Sequence, residues 1–249
     1  MTPLSDLELL ELEIETLWQK DDRDRLIYDL GANRFAPHLV IAVSNAGWML
    51  TLGSEVSAAL AAELQAAVAG EPPTSDPAAQ PAVIARCEQL LGDSLGPLEL
   101  SCSLGYVILG QITFASAAEI LRSDDANMEL LQRQDIERLN WSPEDWRQLL
   151  DGALGPWAMA VIDRQVVAIC HSARFTDRAT EAGVWTDPDF RGQGHAAAVT
   201  AAWSSLLVRS GRQLFYSTSS TNISSQRVAA RLNLRRIGWM WKLSHPRES

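Results

Sequence analysis

Apolar residues three and four positions apart open the chain. Leu7, Leu10, Ile14 and Leu17 share one helical face, and Asp6, Glu8, Glu11 and Glu15 take the others. Beyond Pro37 the pattern shortens to Leu39–Val43, a continuous apolar run of strand length. Ser54 is placed to cap a second helix with the stripe Val56, Leu60, Leu64 and Val68. Four prolines between Gly70 and Pro81 predict a loop. A short helix near Val83–Leu91 follows, then one or two strands over Leu98–Phe114, broken near Gly105.

The second half is more regular. After a polar break at Ser123–Ala126, Asn127–Leu131 suggests a strand and Asp135–Leu139 a helical turn. Ser142-Pro143-Glu144-Asp145 is a helix start: a capping hydroxyl, proline at the first helical position, and acids in the first turn. Trp157–Ile162 and Val166–His171 flank Asp163-Arg164, which predicts a hairpin. Thr180–Thr186 is a further strand, stopped by Pro188, because proline cannot donate to a ladder. A long helix over Gly194–Arg209, a strand over Gln213–Thr218, a helix over Asn222–Leu232 and a strand over Ile237–Leu243 complete the pattern. The order β-α-α-β-β-β-α-β-α-β predicts an α/β fold, a mixed sheet with helices on its faces. Residues 1–124 read as a separate mixed α/β domain, and 125–249 as the second domain.

Composition adds few constraints. The chain has 249 residues, 47% of them apolar, which suffices for two cored domains. The first twenty residues are acidic and lack the apolar stretch of a signal peptide, and no apolar run is long enough to cross a bilayer. Cys87, Cys102 and Cys170 have no metal or redox spacing, so the expectation is inert thiols in a cytoplasmic protein. No metal site is read from the sequence.

Charge is more informative. The net charge of −10 argues against nucleic acid as a partner, and nothing points to a membrane. Yet residues 1–124 hold 18 acidic and 6 basic side chains, against 13 and 15 in 125–249. Between Phe190 and Pro246 there is no Asp or Glu, while Arg191, Arg227, Arg231 and five other cations lie there. Such a stretch suits a multiply phosphorylated ligand.

That stretch begins with a strand, a short loop and a glycine-rich turn, Arg191-Gly192-Gln193-Gly194-His195-Ala196, opening a helix. Amides at a helix N-terminus point outward with partial positive charge and bind phosphate unaided. Two ligand classes fit. Gly192-x-Gly194-x-x-Ala197 matches a dinucleotide fingerprint, which expects glycine at the strand end and an acid about twenty residues on. Asp187–Arg191 intervenes, and Leu214–Ser220 offers no acid.

Arg191-x-x-Gly194-x-Ala196 instead resembles motif A of the GNAT N-acetyltransferase superfamily. Val184-x-Thr186-x-Pro188 before it resembles the preceding strand and its exit, and Asn222-x-x-Ser225-x-x-Val228-x-x-x-Leu232 the following helix. The resemblance covers about Asn127–Leu243. It implies acetyl-CoA as co-substrate. Amides of Gly192, Gly194 and Ala196 would hold the pyrophosphate, and Val184 and Thr186 the pantetheine arm. Asn222 would bind that arm or cap its helix, Arg191 would face a phosphate, and Arg227 with Arg231 the 3′-phosphate.

The implied activity is transfer of an acetyl group to an amine of a small molecule or peptide by direct attack, with the first 124 residues shaping the acceptor site or regulating it. A homodimer is the oligomer to test for. Glu181 is the expected base, with His171 second, and His195 reads as a packing residue. The tyrosine that usually serves as acid is replaced by Ala229, so Tyr216 or a hydroxyl among Ser217–Ser225 is the substitute. The rival reading is a non-catalytic acyl-CoA-binding regulatory protein.

Overall fold

The structure is a computed structural model describing residues 3–30, 35–70, 78–125 and 128–246. In chain order the first elements are α1 (Asp6–Leu17), β1 (Trp18–Lys20), β2 (Leu26–Asp29), β3 (Leu39–Ser44), β4 (Gly47–Leu52), α2 (Ala58–Ala69), α3 (Ile84–Leu95) and β5 (Glu99–Ile108). Then come β6 (Glu119–Arg122), α4 (Met128–Gln132), α5 (Pro143–Leu150), β7 (Trp157–Ile162), β8 (Gln165–Phe175) and β9 (Ala179–Thr186). Last are α6 (His195–Leu207), β10 (Gln213–Ser219), α7 (Ile223–Arg231) and β11 (Arg235–Ser244). The fold is mixed α/β, as the pattern predicts. Among the described residues no helix is long and apolar enough to cross a membrane.

The chain divides into two units. The first comprises Met1–Gly105, Thr218–Thr221 and Arg236–Ser249, and the second Tyr106–Ser217 and Asn222–Arg235. In the first unit β3 pairs antiparallel with both β4 and β11. All six residues of β3 are buried, hence the unbroken apolar run, and Leu39, Ile41 and Val43 pack with Leu60, Leu64 and Val68 of α2. Of the α1 stripe Leu10, Ile14 and Leu17 are buried and Leu7 is half-buried, with Leu9 and Leu12 buried beside them, and Ser5 with Glu8 closes a capping box.

Two expectations fail here. α2 is capped by Ser57, whose hydroxyl accepts the Leu60 N–H at 3.3 Å, and not by Ser54. Ser54 sits in a preceding turn and donates its own N–H to Leu26 O at 2.8 Å. Nor does the strand break at Gly105, since β5 runs through it. A Cβ at that position would collide with the carboxylate of the buried Glu13, so the glycine serves close approach and not a turn.

In the second unit β6, β7, β8 and β9 pair antiparallel in that order, and β9 pairs parallel with β10. The hairpin between β7 and β8 turns at Asp163 (φ 47°) and Arg164 (φ 66°), the two left-handed residues a tight type I′ turn needs. Ser142 caps α5 and Asn222 caps α7, as read from sequence. The strand expected at Asn127–Leu131 is a correction. Asn127 lies outside the described residues, and Met128–Gln132 is helical. Met, Glu, Leu, Leu and Gln are all strong helix formers with no β-branch, and Leu130 and Leu131 bury together with Trp146 and Leu149. The strand role falls to Glu119–Arg122, which pairs with β7. Most of the loop expected over Gly70–Pro81, residues 71–77, lies outside the described residues.

Candidate functional site

The strands β9 and β10 are in register only at Ala179–Gln213, Thr180–Leu214 and Glu181–Phe215. Beyond Glu181 they part, while β9 stays paired with β8 as far as Thr186. Val184, Trp185 and Thr186 therefore present one backbone edge that no strand covers among the described residues. A cleft of about 380 Å³ opens beside that edge, within the size range of small-molecule sites. It is walled by the glycine turn on one side and α7 on the other, and no Asp or Glu lines it.

The turn is held from behind. Asp187 is buried, its carboxylate accepts the Asp189 N–H at 3.0 Å, and it forms an ion pair with Arg138. Arg138 also donates to Val166 O at 2.8 Å, so one guanidinium fixes the exit of β9 against the start of β8. The chain then passes through Gly192 (φ 81°) and Gly194 (φ 92°), left-handed positions that favour glycine. Gly194 is the N-cap of α6, and the Ala198 N–H donates to its carbonyl at 3.1 Å. The amides before Ala198 have no preceding helical carbonyl to meet, and they lie at the cleft wall. A Cβ on Gly194 would stand 3.1 Å from the Phe114 ring and 3.8 Å from Arg231 Nη1. Phe114 also packs with Ala197 and Ala201, small residues that let α6 approach closely.

Most of the residues singled out from sequence come together at this cleft. Val184, Thr186, Arg191, Gly192, Gly194, Ala196, Tyr216, Asn222 and Arg227 all line it, and so does Arg231. Arg191 folds back, with Nε donating to Thr186 O at 3.4 Å. Asn222 accepts the Ser225 N–H at 3.1 Å, so its oxygen serves as a cap. Tyr216 is 2% exposed, and its hydroxyl lies 2.6 Å from Ser225 Oγ. Burial pushes the phenol pKa up to about 12.

Glu181 is not in the cleft wall. It is buried at the point where β9 and β10 part, and its Oε1 accepts both the Ser217 N–H and the Ser217 hydroxyl at 2.7 Å. Ala229 is fully buried on α7. His195 is buried at the start of α6, and desolvation lowers its pKa. Arg138 and Phe114 escaped the sequence reading, and of Ser225, which falls in the motif read there, only its contact with Tyr216 did. The Ser225 contact follows from a helix meeting a strand, and Asp187 lies 49 positions beyond Arg138, so no local pattern marks either.

His171 stands edge-on to Trp141, with ring centroids 5.0 Å apart. Burial pushes its pKa down to about 4. The unfolded imidazole takes a proton near pH 6.5 and the folded one only near 4, so acid favours unfolding across that window. Urea titrations should show about 2 kcal/mol less stability at pH 5 than at pH 7 from this group. His171→Gln should flatten that part of the profile, and an unchanged profile would remove His171 from the acid response.

No family model matches the chain, and no curated protein matches it. Solved structures do. A functionally unknown conserved protein from Staphylococcus epidermidis ATCC 12228 aligns at 12% identity over 94% of this chain and 96% of its own, with a TM-score of 0.51. An acetyltransferase from the GNAT family from Colwellia psychrerythraea aligns at 15% identity over 98% of both chains, at 0.48. A candidate GNAT-family acetyltransferase from Novosphingobium aromaticivorans DSM 12444 aligns at 19% identity over 60% of this chain, at 0.45, and this chain spans 66% of its length. Identities this low concern the path of the backbone and not the chemistry.

Proposed function

We propose that the cleft binds acetyl-CoA, or a close acyl-CoA relative, and that the protein transfers the acyl group to the amine of a small molecule or peptide. The parting of β9 from β10 beside a helix N-terminus carries this reading. The free edge at Val184–Thr186 suits an extended, amide-bearing arm, which adds to the sheet as a further strand. The α6 amides suit a pyrophosphate. Pantetheine joined to a nucleotide has both parts in sequence. A dinucleotide would want an acid for its ribose, and the cleft lining has none.

In this reading the proton of the acceptor ammonium travels through water to the Ser217 hydroxyl, which hands its own to Glu181 Oε1. The freed amine attacks the thioester carbonyl, the new C–N bond forms, and the C–S bond breaks. A phenol near pKa 12 facing a thiolate near 8.5 is about 3.5 units, or about 5 kcal/mol, from giving up its proton. Tyr216, backed by Ser225, thus acts as a hydrogen-bond donor to the departing sulfur, and the second proton lost by the attacking nitrogen reaches the thiolate through water.

A second reading, a non-catalytic acyl-CoA-binding regulatory protein, is favoured by Ala229. Turnover of any member of a broad amine panel separates the two. Ligand class is tested by calorimetry. Arg227 and Arg231 are exposed at the cleft, and if they meet the 3′-phosphate, dephospho-CoA should bind about tenfold or more weakly than CoA. Equal affinities would return both arginines to the surface, and competition by NADH would favour the dinucleotide reading.

A further inference from the structure

In the first unit three ligating side chains converge from positions far apart in sequence. His38 lies just before β3, Glu55 in the turn before α2, and His245 just after β11. Their donor atoms all lie within 4.8 Å of one another. His38 is buried, while Glu55 and His245 are exposed. The backbone builds this convergence. The His38 N–H donates to Leu243 O at 2.9 Å, which ties the segment carrying His245 alongside. The Gly53 N–H donates to His38 O at 2.8 Å, which brings up the turn carrying Glu55. A Cβ on Gly53 would be 2.8 Å from Pro37 O and 3.0 Å from His38 Cα, so glycine is what allows that approach.

We propose that His38, Glu55 and His245 bind a divalent transition metal, best matched by zinc, with water in the fourth position. Two tetrahedral ligands with bonds near 2.1 Å stand about 3.4 Å apart, and His38 Nδ1 lies 3.3 Å from Glu55 Oε2. The two rings meet edge-on with centroids 4.4 Å apart, so a small rotation of the exposed His245 brings its nitrogen into range. Two imidazoles and one carboxylate are a donor set that suits zinc and copper more than magnesium or calcium. The ion would fasten the segment after β11 to the start of β3. Sequence spacing hides the set, because 190 residues separate Glu55 from His245.

The test uses the full chain without an affinity tag, stripped by chelator and titrated with Zn²⁺ and with Co²⁺. One equivalent should bind, and Co²⁺ should give the visible bands of a four-coordinate N/O site without thiolate charge transfer. Melting temperature should rise by roughly 5–10 °C at a hundredfold excess over Kd. His245→Ala, at an exposed position, should weaken binding at least about 100-fold, and Glu55→Gln at least about tenfold. Absence of one-to-one binding overturns the proposal. So does Zn²⁺ affinity that His245→Ala leaves unchanged, or a thiolate band placing the metal on Cys87, Cys102 or Cys170.

Discussion

Gly194→Glu should show no measurable heat with acetyl-CoA at concentrations where the wild type binds in the micromolar range, a loss of at least about 100-fold. Two effects act at this position. Any side chain at φ 92° costs about 1–2 kcal/mol, and its Cβ lies 3.1 Å from the Phe114 ring. The larger effect is charge. Arg231 Nη1 stands 3.8 Å from that Cβ, so a glutamate carboxylate would reach the arginine and the α6 amides together, where a phosphate is expected. Gly194→Ala carries the strain without the charge, and should retain affinity within about tenfold with a lowered melting temperature. If Gly194→Glu binds acetyl-CoA like the wild type, the assignment of the cleft is wrong.

Glu181→Gln should slow turnover by about 10²–10⁴-fold and leave acetyl-CoA affinity intact. An amine near pKa 10 is about 99.9% protonated at pH 7, so a route for its proton decides the rate. Glutamine keeps an oxygen for the Ser217 N–H and hydroxyl, which preserves the junction of β9 and β10 while removing the proton acceptor. The rate loss should shrink as pH approaches the amine pKa, since the substrate then arrives deprotonated. Ser217→Ala should give a similar pH profile, because the relay is cut one step earlier. A Glu181→Gln protein with the wild-type rate and acidic limb would transfer the role to His171 or to a chain of waters.

The parts of this molecule legible in the sequence are those whose causes are local. A hydroxyl or amide three residues before the N–H it caps places α5 and α7, and Asp163-Arg164 between two apolar runs places the hairpin. The glycine turn was readable because two left-handed residues and a helix start fall within six positions. The parting of β9 from β10 was not, because register between strands that are 34 residues apart leaves no local mark. The short strand Glu119–Arg122 was missed because four residues make too little pattern, and α4 was misread because Leu130-Leu131 fits either period. Gly105 looked like a break only because the partner that needs its missing side chain, Glu13, lies 92 positions earlier.

The ion pair between Arg138 and Asp187 also bears on transplantation. The run from Val184 to Ala197, the proposed phosphate cradle, looks like a portable cassette that could be spliced onto another sheet. It is not self-sufficient. Its first residue past the strand is buried and charged, and the guanidinium that neutralises it arrives from a separate turn also anchored to Val166 O. A graft lacking that arginine would bury an unpaired carboxylate, a penalty of several kcal/mol, and the loop would swing outward to hydrate it. The transplantable unit of this chain is therefore the turn together with Arg138, its distant counter-ion.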